Sequence, residues 1–104
     1  MTIGIKGIVE SDLTGTRTVI ASANSIQLLG KIARITGNTT IKTMLLPLDN
    51  PYFIGPLYLY NTDTPVGVWD ATGNIALGGT FTRYHVFEFI YDPVVSLWYP
   101  VTIV

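Results

Sequence analysis

The sequence contains no cysteine, so it can form neither a disulfide bond nor a metal site with thiolate ligands. It contains one histidine, His85, which excludes metal sites built from several histidines. His85 lies within a run of strand-forming residues, 84–89, and we expect it to be a partly buried structural residue rather than a catalytic base. The sequence therefore predicts no metal site and no cofactor.

Charged residues are also scarce. They make up 12% of the chain, against about 25% in an average soluble domain. The formal net charge is −1 and the lysines and arginines are scattered singly, which argues against nucleic acid or an anionic membrane as a partner. Apolar residues make up 48% of the chain, and the mean hydropathy is +0.42. A lone monomer would be short of polar cover, so we expect copies of the chain or a scaffold to cover part of its surface.

Long hydrophobic runs are missing. Residues 1–12 lack the basic start and the apolar run of a signal peptide. The longest nearly apolar stretch, residues 52–60, contains Gly55 and Pro56 and is far shorter than the ~20 residues that a membrane-spanning helix needs. We expect a soluble protein that is made without a secretion signal.

Motifs of common reaction centres are missing as well. No Gly-x-Ser-x-Gly motif surrounds a serine, and residues 73–79 lack the lysine of a phosphate-binding loop. Asp63 and Asp70, with Asn61 and Asn74, carry oxygen atoms that a calcium ion could use, but without the spacing of an EF-hand. We therefore predict that the protein is not an enzyme.

Glu88 is the carboxylate that invites a specific hypothesis. On a strand it shares a face with Val86 and Ile90. It could be a solvated charge on an outer face or edge. Alternatively, it could form an ion pair across a subunit contact with Arg34 or Arg83.

Short runs of β-branched and aromatic residues dominate what the sequence does contain. Turn signals recur about every 8–12 residues, a spacing typical of an all-β sandwich or barrel. No long window shows the apolar period of a helix. We predict one all-β domain over residues 12–104, an antiparallel β-sandwich or barrel of jelly-roll type with little or no helix. An N-terminal arm or first strand over residues 1–11 would precede it.

The last quarter of the chain, residues 81–104, is the most strongly patterned. Two runs of strand formers flank Asp92-Pro93, which predicts a β-hairpin. Trp98 falls on the face opposite Leu97 and Tyr99, and we expect a neighbouring subunit to cover it. The alternating residues are Phe87, Phe89 and Tyr91 before the turn and Val95, Leu97, Tyr99, Val101 and Ile103 after it.

Several short motifs resemble the small all-β modules found in virion proteins of tailed bacteriophages, in capsid decoration (cement) proteins and in fibre tips. They span about three-quarters of the chain, although the proline-rich residues 47–56 and the glycine-free turn at residues 92–96 depart from the pattern. The motifs are residues 35–41 (ITGNTTI), 57–59 (LYL), 73–81 (GNIALGGTF), 87–92 (FEFIYD) and 97–99 (LWY).

The resemblance implies a homotrimeric, non-enzymatic component of the virion. The initial methionine and the short chain are expected for a complete small protein, which favours a decoration protein over a fibre tip. Such a protein binds the outer surface of the major capsid protein and bridges its subunits against internal pressure. At the oligomer interface we expect Trp98, Glu88, Arg34 and Arg83.

The predicted arm, residues 1–11, is the candidate for the capsid contact because it can add a strand to a sheet edge of the partner. Three alternatives stay open: a receptor-binding fibre module whose tyrosines and tryptophans contact a host glycan, a small enzyme, and a lipid-surface protein. The candidate capsid-contact residues are Ile3, Ile5, Ile8 and Val9.

Overall fold

The computed structural model describes residues 18–48 and 50–101. The predicted arm, with Ile3, Ile5, Ile8 and Val9, lies outside this part of the chain. Within the described residues there are strands and turns but no helix, so the all-β prediction is confirmed. It follows that no helix in this part of the protein is long and apolar enough to cross a membrane.

Nine strands lie in the described ranges. Most are short because glycine, proline and asparagine interrupt the runs of strand-forming residues. In chain order they are β1 (Val19–Ala21), β2 (Ser25–Gln27), β3 (Ile32–Thr36), β4 (Thr43–Leu45), β5 (Leu57–Asn61), β6 (Val68–Trp69), β7 (Gly79–Thr80), β8 (Val86–Asp92) and β9 (Leu97–Pro100).

Five of these strands form a large sheet in the order β1-β3-β5-β8-β9. Strands β1, β3 and β5 run parallel, whereas β8 is antiparallel to β5 and β9 is antiparallel to β8. Strands β2 and β4 form a small parallel pair, and β6 and β7 form an antiparallel pair. The prediction of a purely antiparallel arrangement is therefore wrong for the N-terminal half of the described chain.

The parallel pairs form without helices because the chain alternates between two sheets. From β1 it passes to β2 in the small pair, returns to the large sheet as β3, crosses again as β4, and returns as β5. Parallel neighbours need a long crossover connection, which is usually a helix. Here a strand of the small pair serves as that crossover, so β1, β3 and β5 stack on one side and β2 and β4 on the other.

The core lies against the inner face of the large sheet. Ile35, Leu57, Leu59 and Phe89 project from three adjacent strands to this face and are fully buried. Burying an aliphatic or aromatic side chain of this size contributes roughly 1.5–3 kcal/mol, whereas an exposed ion pair contributes about 0–1 kcal/mol. The inner face therefore decides the stability of the domain.

Trp69 on β6 is the centre of an aromatic cluster in this core. Its ring meets those of Phe81, Phe87 and Phe89 edge to face, with centroid distances of 4.9, 5.3 and 5.2 Å. Its indole N–H donates a hydrogen bond to the carbonyl of Leu77 (3.0 Å). These contacts fix the position and the orientation of the ring.

The C-terminal hairpin forms as predicted, with β8 and β9 paired so that Tyr91 is opposite Trp98. The turn between them is held by the carboxylate of Asp92, which accepts a hydrogen bond from the backbone N–H of Val94 (2.9 Å). Ser96 closes the turn with φ of 58°, in the left-handed region that glycine usually occupies. A serine thus takes the place of the glycine expected in a hairpin turn of this kind.

Trp98 faces the core of its own chain, which corrects the expectation that a neighbouring subunit covers it. Its side chain is 0% exposed, and its indole N–H donates to the carbonyl of Met44 (3.0 Å). Its ring centroid lies 5.0 Å from that of Tyr91 and 6.3 Å from that of Phe53. Trp98 therefore has no surface to offer to an oligomer interface. On β9 the outward-facing side chains belong to Leu97 and Tyr99.

The side chains of two asparagines form hydrogen bonds with backbone groups elsewhere in the chain. Asn61 is fully buried; its side-chain amide donates to the carbonyl of Gly37 (2.9 Å), and its side-chain oxygen accepts from the N–H of Asp63 (2.8 Å). Asn74 binds both the N–H and the carbonyl of Met44, each at 2.8 Å. The side chains of Asn61 and Asn74 thus satisfy backbone groups that strand pairing leaves over.

Candidate functional site

The most unusual surface of the described chain is the side of the large sheet that faces away from the core. Because side chains alternate along a strand, Tyr58 and Tyr60 of β5 point outward when Leu57 and Leu59 point inward. The strand registers extend the same assignment to the neighbouring strands. We call this surface the outer sheet face; its members are Val19, Ala21, Ile32, Arg34, Thr36, Tyr58, Tyr60, Val86, Glu88, Ile90, Asp92, Leu97, Tyr99 and Val101.

Ten of the fourteen members of the outer sheet face are apolar or aromatic, and one of these, Ile32, is already buried within the chain. Val86 is 56% exposed, and Ile90, Tyr99 and Val101 are also exposed. A sheet that faces water on one side normally carries polar residues there. Five strands spaced about 4.8 Å apart, at about 3.4 Å per residue, give this face roughly 300–400 Å² in projection. The largest apolar patch on a typical monomer has a similar size, about 300–600 Å², and is often a functional surface.

Two of the three charged members, Arg34 and Glu88, lie on opposite sides of β5, and the third, Asp92, lies at the end of β8. Arg34 on β3 is level with Tyr60, and Glu88 on β8 is level with Tyr58. The guanidinium of Arg34 forms an ion pair with Asp63 (Nη2 to Oδ1, 3.5 Å). Burial, and secondarily the negative charge of Glu88, raises the pKa of the Tyr58 phenol. The outer sheet face therefore carries one positive charge, Arg34, and two negative charges, Glu88 and Asp92, around a central aromatic strand.

The interface pairing that was predicted for Glu88 stays a prediction. Within the chain, Arg34 binds Asp63, and the Nε–H of Arg83 donates to the backbone carbonyl of Thr62 (2.9 Å). Arg83 lies in the turn between β7 and β8 and not on the outer sheet face. Of the two arginines, only Arg34 thus shares a surface with Glu88.

The C-terminal edge of the large sheet is closed to further strand pairing at Trp98 on β9. The N–H of Trp98 donates to the carbonyl of Asn74 and its carbonyl accepts from the N–H of Ala76, both at 2.8 Å. The next residue but one, Pro100, has no N–H to offer. At this side of the molecule, the face of the sheet rather than its edge is the open surface.

The remaining residues with possible chemistry are dispersed. His85 is exposed and lies just before β8, which corrects the expectation of a partly buried strand residue. The carboxylate of Asp70 binds the Lys42 ammonium (3.2 Å), and the hydroxyl of Thr72 donates to it (2.6 Å). The bonds from Thr72, followed by those from Lys42, lower the pKa of Asp70 despite some desolvation. In the described ranges no three acidic or histidine side chains are grouped so that they could hold a metal ion.

The outer sheet face was not identified from the sequence, although β5 and β8 carry a signal for it. Both strands carry apolar or aromatic side chains on each of their two faces. In β5, Leu57 and Leu59 alternate with tyrosines. In β8, Phe87 and Phe89 alternate with exposed residues that include Val86. Strands covered on both faces read as near-continuous apolar runs.

Comparisons with known proteins identify no relative: no family model, no curated protein and no solved structure matches this chain.

Proposed function

We propose that this chain is a structural protein of a bacteriophage virion, a capsid decoration protein that binds the outer capsid surface as an oligomer and stabilises it. The observation that carries the proposal is the outer sheet face, an apolar and aromatic surface on a small domain with few charges. Such a surface suits assembly with other protein chains. The resemblance to phage modules is the reason that we propose the virion as the assembly.

Covering the apolar part of the outer sheet face favours association. At about 25 cal/mol per Å², covering 300–400 Å² on each of two surfaces would gain at most roughly 15–20 kcal/mol, because the face includes charged side chains and the buried Ile32. Association costs an estimated 4–15 kcal/mol in lost motion, so the net affinity is moderate. Repetition of such a contact over many equivalent sites of a capsid would increase the overall binding by avidity.

In the proposed mechanism the β domain acts as a rigid spacer. The arm over residues 1–11, with Ile3, Ile5, Ile8 and Val9, would add a strand to an exposed edge of the major capsid protein. We further propose that the three sheets enclose the core as a sandwich or barrel and, from the resemblance, that three copies assemble on the capsid. The support for the enclosed core is that buried side chains of β2, β4 and β6 meet those of the large sheet.

The experiment that tests the proposal is co-sedimentation of the purified protein with empty capsids of the phage that encodes it. We expect binding that saturates at a fixed ratio to the capsid subunits and raises the temperature at which the capsids disrupt. Deleting residues 1–11 should abolish this binding while the oligomer persists, as judged by native mass spectrometry. If the intact protein stays in the supernatant at every concentration, the capsid role is wrong.

A second candidate function, glycan binding by a fibre module, is favoured by two protruding tyrosines. Tyr52 is 88% exposed and Tyr84 is 70% exposed, and the guanidinium of Arg83 stacks on the Tyr84 ring at 4.6 Å. Exposed aromatic rings next to polar groups can stack on sugars. A glycan array separates the two functions, because a decoration protein should bind no glycan on it.

A further inference from the structure

One end of the large sheet carries three connections, β2–β3, β4–β5 and β8–β9. Strands β3 and β5 run parallel and begin at this end, and β8 ends here because it is antiparallel to β5. The backbone N–H of Tyr91 donates to the carbonyl of Ile54 (2.8 Å), which holds the β4–β5 connection beside the end of β8. We call this part of the domain the loop end; it consists of residues 28–31, 46–48, 50–56 and 93–96.

Large apolar side chains of the loop end stand almost free in solvent. Leu48 is 84% exposed, Tyr52 is 88% exposed and Val94 is 89% exposed. A single exposed apolar residue is normal on a protein surface, but six at one end of a small domain are a concentration that marks an interaction surface. The other three, each at least half exposed, are Leu29, Ile54 and Val95.

The opposite end of the large sheet has a polar surface. Its connections, β1–β2, β3–β4, β5–β6 and the segment just before β8, consist mostly of serine, threonine, asparagine and charged residues such as Asp63 and Arg83. The three connections at the loop end contain only two charged residues, Lys31 and Asp49, whose charges are opposite. The two ends of the domain are therefore chemically different, one apolar and the other polar.

The chain that precedes the described residues joins the domain at the loop end. β1 runs parallel to β3, so its first residue, Val19, lies toward the loop end. Residues 12–17 connect β1 to residues 1–11, the segment proposed to bind the capsid, and reach at most roughly 20–25 Å when fully extended. That reach is shorter than the smallest extent of the domain, 30 Å. A partner bound by residues 1–11 is thus tethered on the side of the loop end.

We propose that the loop end is the side of the domain that rests on the capsid, so that it and residues 1–11 contact one area of the same protein surface. The inference rests on the proposed function and adds the orientation of the domain, with the polar end toward solvent. Side chains that stand clear of their neighbours, a tyrosine among them, suit insertion into apolar pockets of a partner protein. The opposite charges of Lys31 and Asp49 cancel, which fits a partner surface without a strong charge.

The first test compares two exposed tyrosines from opposite ends of the domain. Tyr52→Ser should raise the dissociation constant for empty capsids about 10–100-fold in co-sedimentation, because an aromatic anchor is lost. Val94→Ser, on the β8–β9 turn, should raise it about 10-fold. Tyr84→Ser, at the polar end, is the matched control and should bind as the unaltered protein does. All three side chains are exposed, so thermal melting should show unchanged stability.

The second test uses nitration of tyrosine by tetranitromethane in the unaltered protein, free and bound to capsids. On capsids, Tyr52 should be protected and Tyr84 should react as fast as in the free protein. Protection of Tyr84 instead of Tyr52 overturns the inference. Equal binding by Tyr52→Ser, Val94→Ser and the unaltered protein, or equal weakening by Tyr84→Ser, overturns it as well. Each of these results leaves the decoration function standing if the unaltered protein still binds capsids.

Other occupants of the loop end give different results. If Tyr52 is already protected in the free protein, another copy or the chain's own N-terminal segment covers the loop end and the inference is wrong. If the protein floats with phosphatidylcholine vesicles and Tyr52→Ser does not, the occupant is a lipid surface and the inference is also wrong. A protein that does not sediment with capsids at any concentration refutes the proposed function, and the inference falls with it.

Discussion

Replacing Gly79 with alanine tests how tightly the core is packed around Trp69. A Cβ atom at Gly79 would clash with Cζ2 of the Trp69 ring and lie 2.7 Å from Cε2, far inside van der Waals contact. The ring cannot move away freely, because three phenylalanines surround it and its N–H is bonded to the carbonyl of Leu77. Either the aromatic cluster or the β6–β7 pair must shift.

Extra atoms in a packed core typically cost about 1–3 kcal/mol. In a domain of this size, each kcal/mol lowers the melting temperature by roughly 4–8 °C. We therefore expect Gly79→Ala to lower the free energy of unfolding by about 1–3 kcal/mol and the melting temperature by about 5–20 °C. Urea unfolding followed by tryptophan fluorescence, together with thermal melting, measures both quantities.

Gly30→Ala is the matched control, because a Cβ there would have no atom within 4 Å and the backbone at Gly30 is not left-handed. We expect it to leave stability unchanged or to raise it by up to about 1 kcal/mol, since alanine restricts the unfolded chain. Equal stability of Gly79→Ala and Gly30→Ala would refute the packing described for Trp69.

Three further changes test other features. Asn61→Ala removes two buried hydrogen bonds and should lower the free energy of unfolding by about 1–3 kcal/mol, whereas Asn50→Ala on the exposed loop should not. Ser96→Gly relieves a left-handed serine and should stabilise the hairpin by up to about 1 kcal/mol, an expectation that a loss of stability in urea would contradict. Because the pKa of Tyr58 is raised above its ordinary value of 10.0, folding favours its neutral form. That contribution is fully present below about pH 10 and is lost as pH rises through the folded-state pKa. As pH rises above about 10, the free energy of unfolding should therefore fall more steeply in the unaltered protein than in Tyr58→Phe. The fall in Glu88→Gln should be intermediate.

Local structure followed from the sequence because it depends on neighbouring residues. β-branched and aromatic runs predicted the strands, and Asp92-Pro93 predicted the hairpin turn, whose Asp92 carboxylate does bind the backbone two residues on. Low charge and high hydropathy also pointed to an uncovered surface before any residue on it could be named.

The tertiary structure determined which strands pair and which face of each strand is buried. The sequence of β9 allows either Trp98 or the pair Leu97 and Tyr99 to face the core. The pairing with β8 places Trp98 on the core side. A shift of one residue reverses every side chain on a strand, so this choice depends on the partner strand and not on the strand's own pattern. The parallel pairing of β1, β3 and β5 likewise joins segments far apart in the chain, which no local pattern encodes. The outer sheet face exists only because those long-range pairings bring Arg34, Tyr58 and Glu88 side by side.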